Sequence, residues 1–144
     1  MIDWINRLKA IVRRMPIIDD IYDLINAMLT LQETGGSLTA DGTEQNVYLN
    51  NLPLGSFDPR LLNINLDNMA AGDRIIIREY YRTVAAGAWV QFDEDTFADA
   101  DGGLEDDSTG LDILLKPNRH GVRVTLEQDL GTYRAYPWDV LTEQ

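Results

Sequence analysis

The sequence predicts a mainly β protein, in which an N-terminal helical, coiled-coil-like segment precedes an antiparallel β-sandwich or jelly roll. Two observations support this prediction. Apolar residues recur three and four positions apart over the first 32 residues, whereas from Ser37 onward they alternate with polar residues, which is the period of a strand. We therefore expect helices over residues 1–34 and a β-sandwich domain over residues 37–144, in a chain long enough for one buried core.

The helical segment has the heptad seam of a coiled coil, sustained for about four heptads. Pro16 interrupts it, because a proline inside a helix removes a hydrogen bond and clashes with the preceding turn. One helix is therefore predicted over about residues 2–14 and a second over about residues 17–32, with Gly35-Gly36 ending the second. Self-association would depend on the seam residues, which are Leu8, Ile11, Ile18, Tyr22, Ile25 and Leu29.

Two interpretations of the seam stay open. The helices could pack on the protein's own sheet, or they could associate between copies of the chain. The heptad phase continues through Pro16, which favours association between copies. In a parallel assembly isoleucine recurs at the d position, and this choice disfavours a dimer, so a trimer or tetramer is expected, with the trimer favoured.

After residue 37, short alternating segments predict about eight strands, separated by glycine, proline and aspartate or asparagine turn signals. Strands at this spacing are typical of an antiparallel sandwich. The segments are those around Val47 and Leu49, and those over residues 62–66, 74–84, 89–92, 111–115, 122–126 and 133–141.

Composition excludes several kinds of chemistry. Without cysteine the chain has no disulfide, cysteine-ligated zinc or thiol nucleophile, and a single histidine, His120, excludes a multi-histidine metal site. The 24 acidic and 12 basic residues give a net charge of −12, which repels phosphate backbones, so nucleic-acid binding is not expected. The sequence has no serine-nucleophile or glycine-rich phosphate motif, and we expect neither a cofactor nor an enzymatic activity.

No apolar run approaches the roughly 18–20 residues that span a bilayer, and charges interrupt the N-terminus, so neither membrane insertion nor a signal peptide is expected. Residues 1–16 are nevertheless basic, with a net charge of +3 in a strongly acidic chain. This asymmetry indicates that the basic end and the acidic body meet different partners.

Arginine and tyrosine fall on one face of the predicted strand RIIIREYYRTV, with Ile75, Ile77 and Tyr81 on the other face. These residue types are enriched at protein–protein interfaces. The same face would equally suit cross-strand pairs between arginine and the carboxylates that this acidic chain supplies. Both interpretations stay open for the candidate partner surface, which consists of Arg74, Arg78, Tyr80 and Arg82.

The stretch DEDTFADADGGLEDD over residues 93–107 is strongly acidic. Calcium prefers six to eight oxygen ligands, and Asp95, Asp99 and Asp101 are candidate ligands around a glycine turn. The residue order differs from that of an EF-hand loop, so we expect a solvated loop here in preference to a metal site.

Three stretches carry a resemblance to a known group of proteins: IDDIYDLINAMLTLQETGGSLTADGTEQNVYLNN, LKPNRHGVRVTLEQ and GTYRAYPWDV. Their arrangement resembles that of small virion-associated β-sandwich proteins of tailed viruses of bacteria and archaea, from about residue 17 onward. The resemblance implies a structural or accessory protein of a virus particle, made in the host cytoplasm. It implies no particular functional residues.

Together these features predict a non-enzymatic structural protein of a viral particle, such as a capsid decoration, spike or tail accessory protein. It would self-associate through its N-terminal helices and contact other virion proteins. The alternative is a β-sandwich recognition module that binds carbohydrate or a cell-surface ligand, with calcium assisting. A calcium-dependent rise in Tm would favour this alternative, because a ligand of the native state stabilises it by mass action.

Overall fold

The computed structural model describes residues 20–21, 32–51, 61–104, 108–116 and 118–142. The chain divides into two compact units, one formed by Met1–Leu31 with Glu143–Gln144 and the other by Gln32–Thr142. All elements described below belong to the second unit. The predicted helices and their seam lie outside the described residues, apart from Asp20 and Ile21, which are helical. Among the residues that the structure describes, none belongs to a helix with the length and apolar character needed to cross a bilayer.

The described residues of the second unit form eight strands and one short 3₁₀ turn. The turn spans Ala100–Gly103. The strands are β1 (Gln32–Thr39), β2 (Gln45–Asn50), β3 (Leu61–Asn65), β4 (Arg74–Tyr81), β5 (Val90–Ala98), β6 (Gly110–Leu114), β7 (Val122–Leu130) and β8 (Ala135–Thr142).

The strands form two antiparallel four-stranded sheets, with the orders β1-β8-β3-β6 and β2-β7-β4-β5. The pairs β1–β8, β2–β7, β3–β6 and β4–β5 are nested in the sequence. This nesting is the strand order of a jelly roll, in which one long hairpin folds over into two facing sheets. The prediction of a mainly β, antiparallel sandwich is confirmed.

Alternation along the strands separates the core from the surface. In β4, Ile75, Ile77 and Tyr81 are buried, as the sequence predicted for that face. In β3, Leu62 and Ile64 are buried, and they alternate with Asn63 and Asn65, which are not. The largest fully buried apolar side chains come from both sheets, and they are Tyr136, Leu62, Ile64, Leu66, Ile75, Leu115, Leu126, Val122, Val124 and Val140.

The first strand begins at Gln32, so the predicted end of the second helix at Gly35-Gly36 is wrong, and so is a sandwich that starts only at residue 37. Both glycines lie within β1, paired with Asp139 and Trp138 of β8. A Cβ on Gly35 would come within 2.7 Å of the Trp138 carbonyl oxygen. The glycines therefore allow β8 to approach closely, a role that the sequence does not distinguish from that of a helix terminator.

The acidic stretch is also less of a loop than predicted. Strand β5 continues to Ala98, so residues 93–98 are strand and only the residues after it can form the loop. The reason is pairing, since Asp93, Glu94 and Asp95 lie opposite residues of β4 in an antiparallel register. One bulge interrupts this register, between Glu79 and Tyr80.

A buried polar cluster joins the two sheets. The side chain of Gln128 in β7 is fully buried, and its Oε1 accepts hydrogen bonds from the Tyr136 hydroxyl of β8 and from the Arg134 backbone N–H, both at 3.0 Å. Its Nε2 donates to the carbonyl oxygens of Thr132 at 2.7 Å and Leu130 at 3.3 Å. Each polar atom of this amide therefore has partners, which removes the penalty for burying it.

A second cluster fixes the turns at one end of the sheets. The buried carboxylate of Asp73 accepts hydrogen bonds from the backbone N–H groups of Ala70 at 2.9 Å and Thr132 at 3.0 Å, and it also pairs with Arg134. Burial would raise the pKa of Asp73, but these donors outweigh it and hold the pKa below its usual range. Gly131, with φ +92°, approaches so closely that a Cβ there would lie 2.0 Å from Asp73 Oδ1.

Alkaline pH is expected to destabilise the sandwich. Burial raises the pKa of both Tyr81 and Tyr136 to about 12, against about 10 in an unfolded chain. The stabilisation from their neutral hydroxyls is complete below about pH 10 and is lost as the pH rises to about 12. Urea midpoints measured across this interval should fall, and the fall should be smaller in the variant Tyr81→Phe/Tyr136→Phe. Equal midpoints at both ends of the interval would contradict this prediction.

Candidate interaction surface

The outer face of the sheet β2-β7-β4-β5 is built around Arg78. Strand β4 lies between β5 and β7, so Arg78 reaches carboxylates on both sides. Its Nη1 donates to Glu127 Oε2 and its Nε to Glu94 Oε2, both at 2.7 Å, and Glu44 Oε2 lies 3.6 Å from Nη1. The hydrogen bond to Glu127 and the surrounding carboxylates raise the pKa of Arg78 further above its usual range.

Glu44 connects three strands of this face from the turn that precedes β2. It accepts hydrogen bonds from the Tyr80 hydroxyl and from Thr125 Oγ1, both at 2.8 Å, and Arg123 Nη2 lies 3.6 Å from its Oε1. Burial would raise the pKa of Glu44, but these donors and the charges of Arg78 and Arg123 outweigh it and lower the pKa. The carboxylate is therefore ionised and held in place.

The four residues of the candidate partner surface have different environments. Arg74 makes two hydrogen bonds to Asp129, at 2.8 and 2.5 Å, Arg78 is surrounded by glutamates, and Tyr80 donates to Glu44. These contacts are those of the cross-strand interpretation. Arg82 differs, because it has no carboxylate partner among the described residues and its Cζ lies 4.3 Å from the centroid of the Trp89 ring.

Arg82 belongs to a group of cationic and aromatic side chains whose other members include Trp89 and Arg123, which the sequence did not indicate. Arg123 stacks on Tyr80 with its Cζ 4.1 Å from the ring centroid, and it lies 5.6 Å from the centroid of Trp89. Arginine over an aromatic face is attracted by the ring quadrupole, by about 0.5–1 kcal/mol where exposed. The alternation of β7 predicts that Arg123 points outward, but the proximity of Trp89 depends on the chain reversal between β4 and β5.

The candidate calcium ligands are not brought together. Asp95 lies within β5, whereas Asp99 and Asp101 follow the end of that strand, and Asp99 Oδ1 accepts a hydrogen bond from the Gly72 N–H at 3.2 Å. At about 3.3 Å per residue, Asp95 and Asp99 are separated by roughly 13 Å along the chain. Across the described part of the chain, no group of three or more acidic or histidine side chains is arranged to hold a metal ion.

The sandwich is open along one side, where the edge strands β5 and β6 face each other across a cleft of about 160 Å³. Glu79, Asp93, Asp95 and Asp112 are among the residues that line it, which makes the cleft acidic. Burial and the charges of the two β5 aspartates raise the pKa of Glu79. We call this side of the molecule the lateral edge.

Large apolar side chains are exposed on the edge strands of the lateral edge, and Phe92 and Leu114 are the most exposed of them. Phe92 of β5 is 53% exposed and Leu114 of β6 is 72% exposed. The ring of Phe92 packs edge-on against Tyr81, with 5.2 Å between centroids. Exposed apolar side chains on the edge strands of a sheet are typical of contact surfaces.

No protein-family model and no curated protein sequence matches the chain. One solved structure that the chain matches is described as belonging to Bacillus endospore appendages, a family of disulfide-linked pili. It is 14% identical in sequence, the match covers 81% of this chain and 88% of that chain, and the TM-score is 0.44.

Proposed function

We propose that this protein is a non-enzymatic structural protein of a virus particle, such as a capsid decoration, spike or tail accessory protein, that acts by associating with itself and with other particle proteins. The observation that supports this proposal best is the lateral edge, where Phe92 and Leu114 are exposed on two edge strands, each paired on one side only. Jelly rolls occur in viral capsid proteins. The resemblance of three stretches of the sequence to virion-associated proteins agrees with this role.

The chemistry of the lateral edge limits how copies can associate there. Asp93 and Asp95 lie opposite Glu79 and Ile77 of β4, on the face that turns towards the core. Inward-facing charges on an edge strand oppose the addition of another strand, because pairing would bury them. Association at this edge would therefore use side-chain contacts around Phe92 and Leu114 in place of a continuous sheet.

The N-terminal seam supplies the second contact in this proposal. In this proposal the residues before the unit Gln32–Thr142, which has its own core, serve as an oligomerisation or anchoring segment. A heptad seam with isoleucine at d positions favours a trimer. The seam would gather the copies, and the lateral edge would contact neighbours in the particle.

Two double substitutions test these contacts in the full-length protein. Ile18→Asp/Ile25→Asp places charges in the seam, and at about 500 mM NaCl, which screens contacts between exposed charges, we expect the oligomer to dissociate to monomers while the sandwich keeps its circular dichroism spectrum. Phe92→Ser/Leu114→Ser removes the apolar contact at the lateral edge, and we expect association to weaken at least tenfold. Sedimentation velocity at several concentrations measures both effects.

Matched controls separate these effects from added charge or lost apolar area. Ala27→Asp/Thr30→Asp adds the same charge at outward heptad positions, and Val84→Ser replaces an apolar side chain that is 60% exposed in the turn after β4. Neither control should change the sedimentation coefficient. If the seam and edge variants sediment like the unchanged protein, the proposal of a self-associating structural role is wrong.

A further inference from the structure

Among the residues that the structure describes, most positive charges of the sandwich are paired with carboxylates, and the exceptions lie at one end. Arg74, Arg78, Arg123 and Arg134 each lie within 4.0 Å of a carboxylate oxygen. Within residues 32–51, 61–104, 108–116 and 118–142, the cations that lack such a partner are Arg82, Lys116 and Arg119.

These three cations lie close together in the fold. Arg82 follows β4, and its backbone N–H donates to the Gly121 carbonyl oxygen at 3.2 Å, just before β7. Asn118 donates to the Arg82 carbonyl oxygen at 3.3 Å, and the Lys116 N–H donates to the Tyr81 hydroxyl at 2.8 Å. The segment between β6 and β7 is thus tied to the end of β4. We call Arg82, Trp89, Lys116 and Arg119 the cationic end.

The other end of the sandwich has the opposite charge. Asp67 lies in the turn between β3 and β4, and Asp99 and Asp101 follow β5. Hydrogen bonding of Asp99 to Gly72 and the close packing of Gly102 against Leu66 hold these two segments together. None of the three aspartates forms an ion pair with a described residue. Strand β4 separates this acidic end from the cationic end by its eight residues, roughly 25 Å.

We propose that the cationic end of one copy binds the acidic end of a second copy, so that the sandwiches associate end to end. The two surfaces are complementary in charge and lie on opposite ends of one chain, and such a heterologous contact repeats into a ring or a filament. A nucleic acid would match only the cationic end, whereas a second copy presents a complementary partner for each of the two ends. This inference rests on the proposed structural role, and it adds a contact different from the seam and the lateral edge.

Charge reversal tests the contact in the full-length chain carrying Ile18→Asp/Ile25→Asp, which removes the contribution of the seam. One variant adds Arg82→Glu, Lys116→Glu and Arg119→Glu, and the other adds Asp67→Lys and Asp101→Lys. We expect the parent to associate at about 50 mM NaCl and at least tenfold less at about 500 mM, since salt screens exposed charges. Each variant alone should be monomeric, and an equimolar mixture should associate again.

Restoration in the mixture is the decisive result, because each variant keeps one end unchanged and association returns only if the cationic end of one copy contacts the acidic end of another. A control variant, Asp139→Lys, adds positive charge on β8, away from both ends and from the lateral edge, and it should associate like the parent. If Arg82→Glu disturbs folding through the Trp89 contact, Lys116→Glu/Arg119→Glu alone should still weaken association.

Three results would overturn the inference: a parent that is monomeric at low salt, a mixture that stays monomeric, or a control that loses association. A fourth result would also overturn the inference. If the parent binds a fluorescent duplex DNA probe tightly and the triple variant does not bind it, the cationic end is a nucleic-acid surface. These outcomes are independent of the proposed function, whose failure appears as an unchanged mass in the seam and edge variants.

Discussion

Gln128→Leu is expected to lower the free energy of unfolding by roughly 3–5 kcal/mol, a large part of the stability of a domain this size. Leucine fits the volume but accepts and donates no hydrogen bond. The Tyr136 hydroxyl, the Arg134 N–H and the Thr132 carbonyl oxygen would each lose a hydrogen-bond partner. The loss is costly because the Gln128 side chain that provides these hydrogen bonds is fully buried. Urea denaturation at neutral pH measures the change.

Tyr136→Phe is the matched control for this cluster. It removes one hydroxyl and leaves the other contacts of Gln128 in place, so we expect a loss of about 1 kcal/mol. If Gln128→Leu costs no more than Tyr136→Phe, the buried amide does not organise the turn between β7 and β8, and this description of the core is wrong.

Asp73→Ala is expected to cost about 3 kcal/mol. The substitution leaves the Ala70 and Thr132 N–H groups and the Arg134 guanidinium without their acceptor. The pKa of Asp73 is lowered in the fold, so its stabilisation is present above about pH 3.8 and is lost as the pH falls through the lowered value. The difference between variant and unchanged protein should therefore shrink in acid.

The exposed pair of Arg74 and Asp129 provides the comparison. Asp129→Ala removes a carboxylate from a solvent-accessible ion pair, and such pairs contribute little to stability. Thermal unfolding should give a much smaller decrease in Tm for Asp129→Ala than for Asp73→Ala. Equal decreases in Tm would show that the burial of Asp73 does not account for its contribution to stability.

Much of the sandwich could be predicted because its strands alternate. The assignment of Ile75, Ile77 and Tyr81 to the core follows from period 2 alone, since one buried face specifies the register. The wrong predictions concern sequence patterns that are compatible with two different structures. A pair of glycines can end a helix or admit a neighbouring strand, and the carboxylates of β5 look like a loop because their pairing with β4 is not visible in the local sequence.

The contacts of the candidate partner surface were predicted less well, because they too depend on how the strands pair. Sequence alternation places Arg74, Arg78 and Tyr80 on one outer face, but their partners come from strands distant in the chain, such as Glu44 and Glu127. The pairing of each arginine is therefore a property of the sheet order. The cationic end depends on the same order, because it brings Arg82 and the residues before β7 together.

The measurement that tests the central claim most directly is the mass of the full-length protein in solution, by light scattering after size exclusion at micromolar concentration. Self-association predicts a mass of at least three times 16.3 kDa, rising with concentration at low salt. A mass of 16.3 kDa at every concentration and salt would contradict the claim, and with it the assembly role proposed for the seam, the lateral edge and the two charged ends.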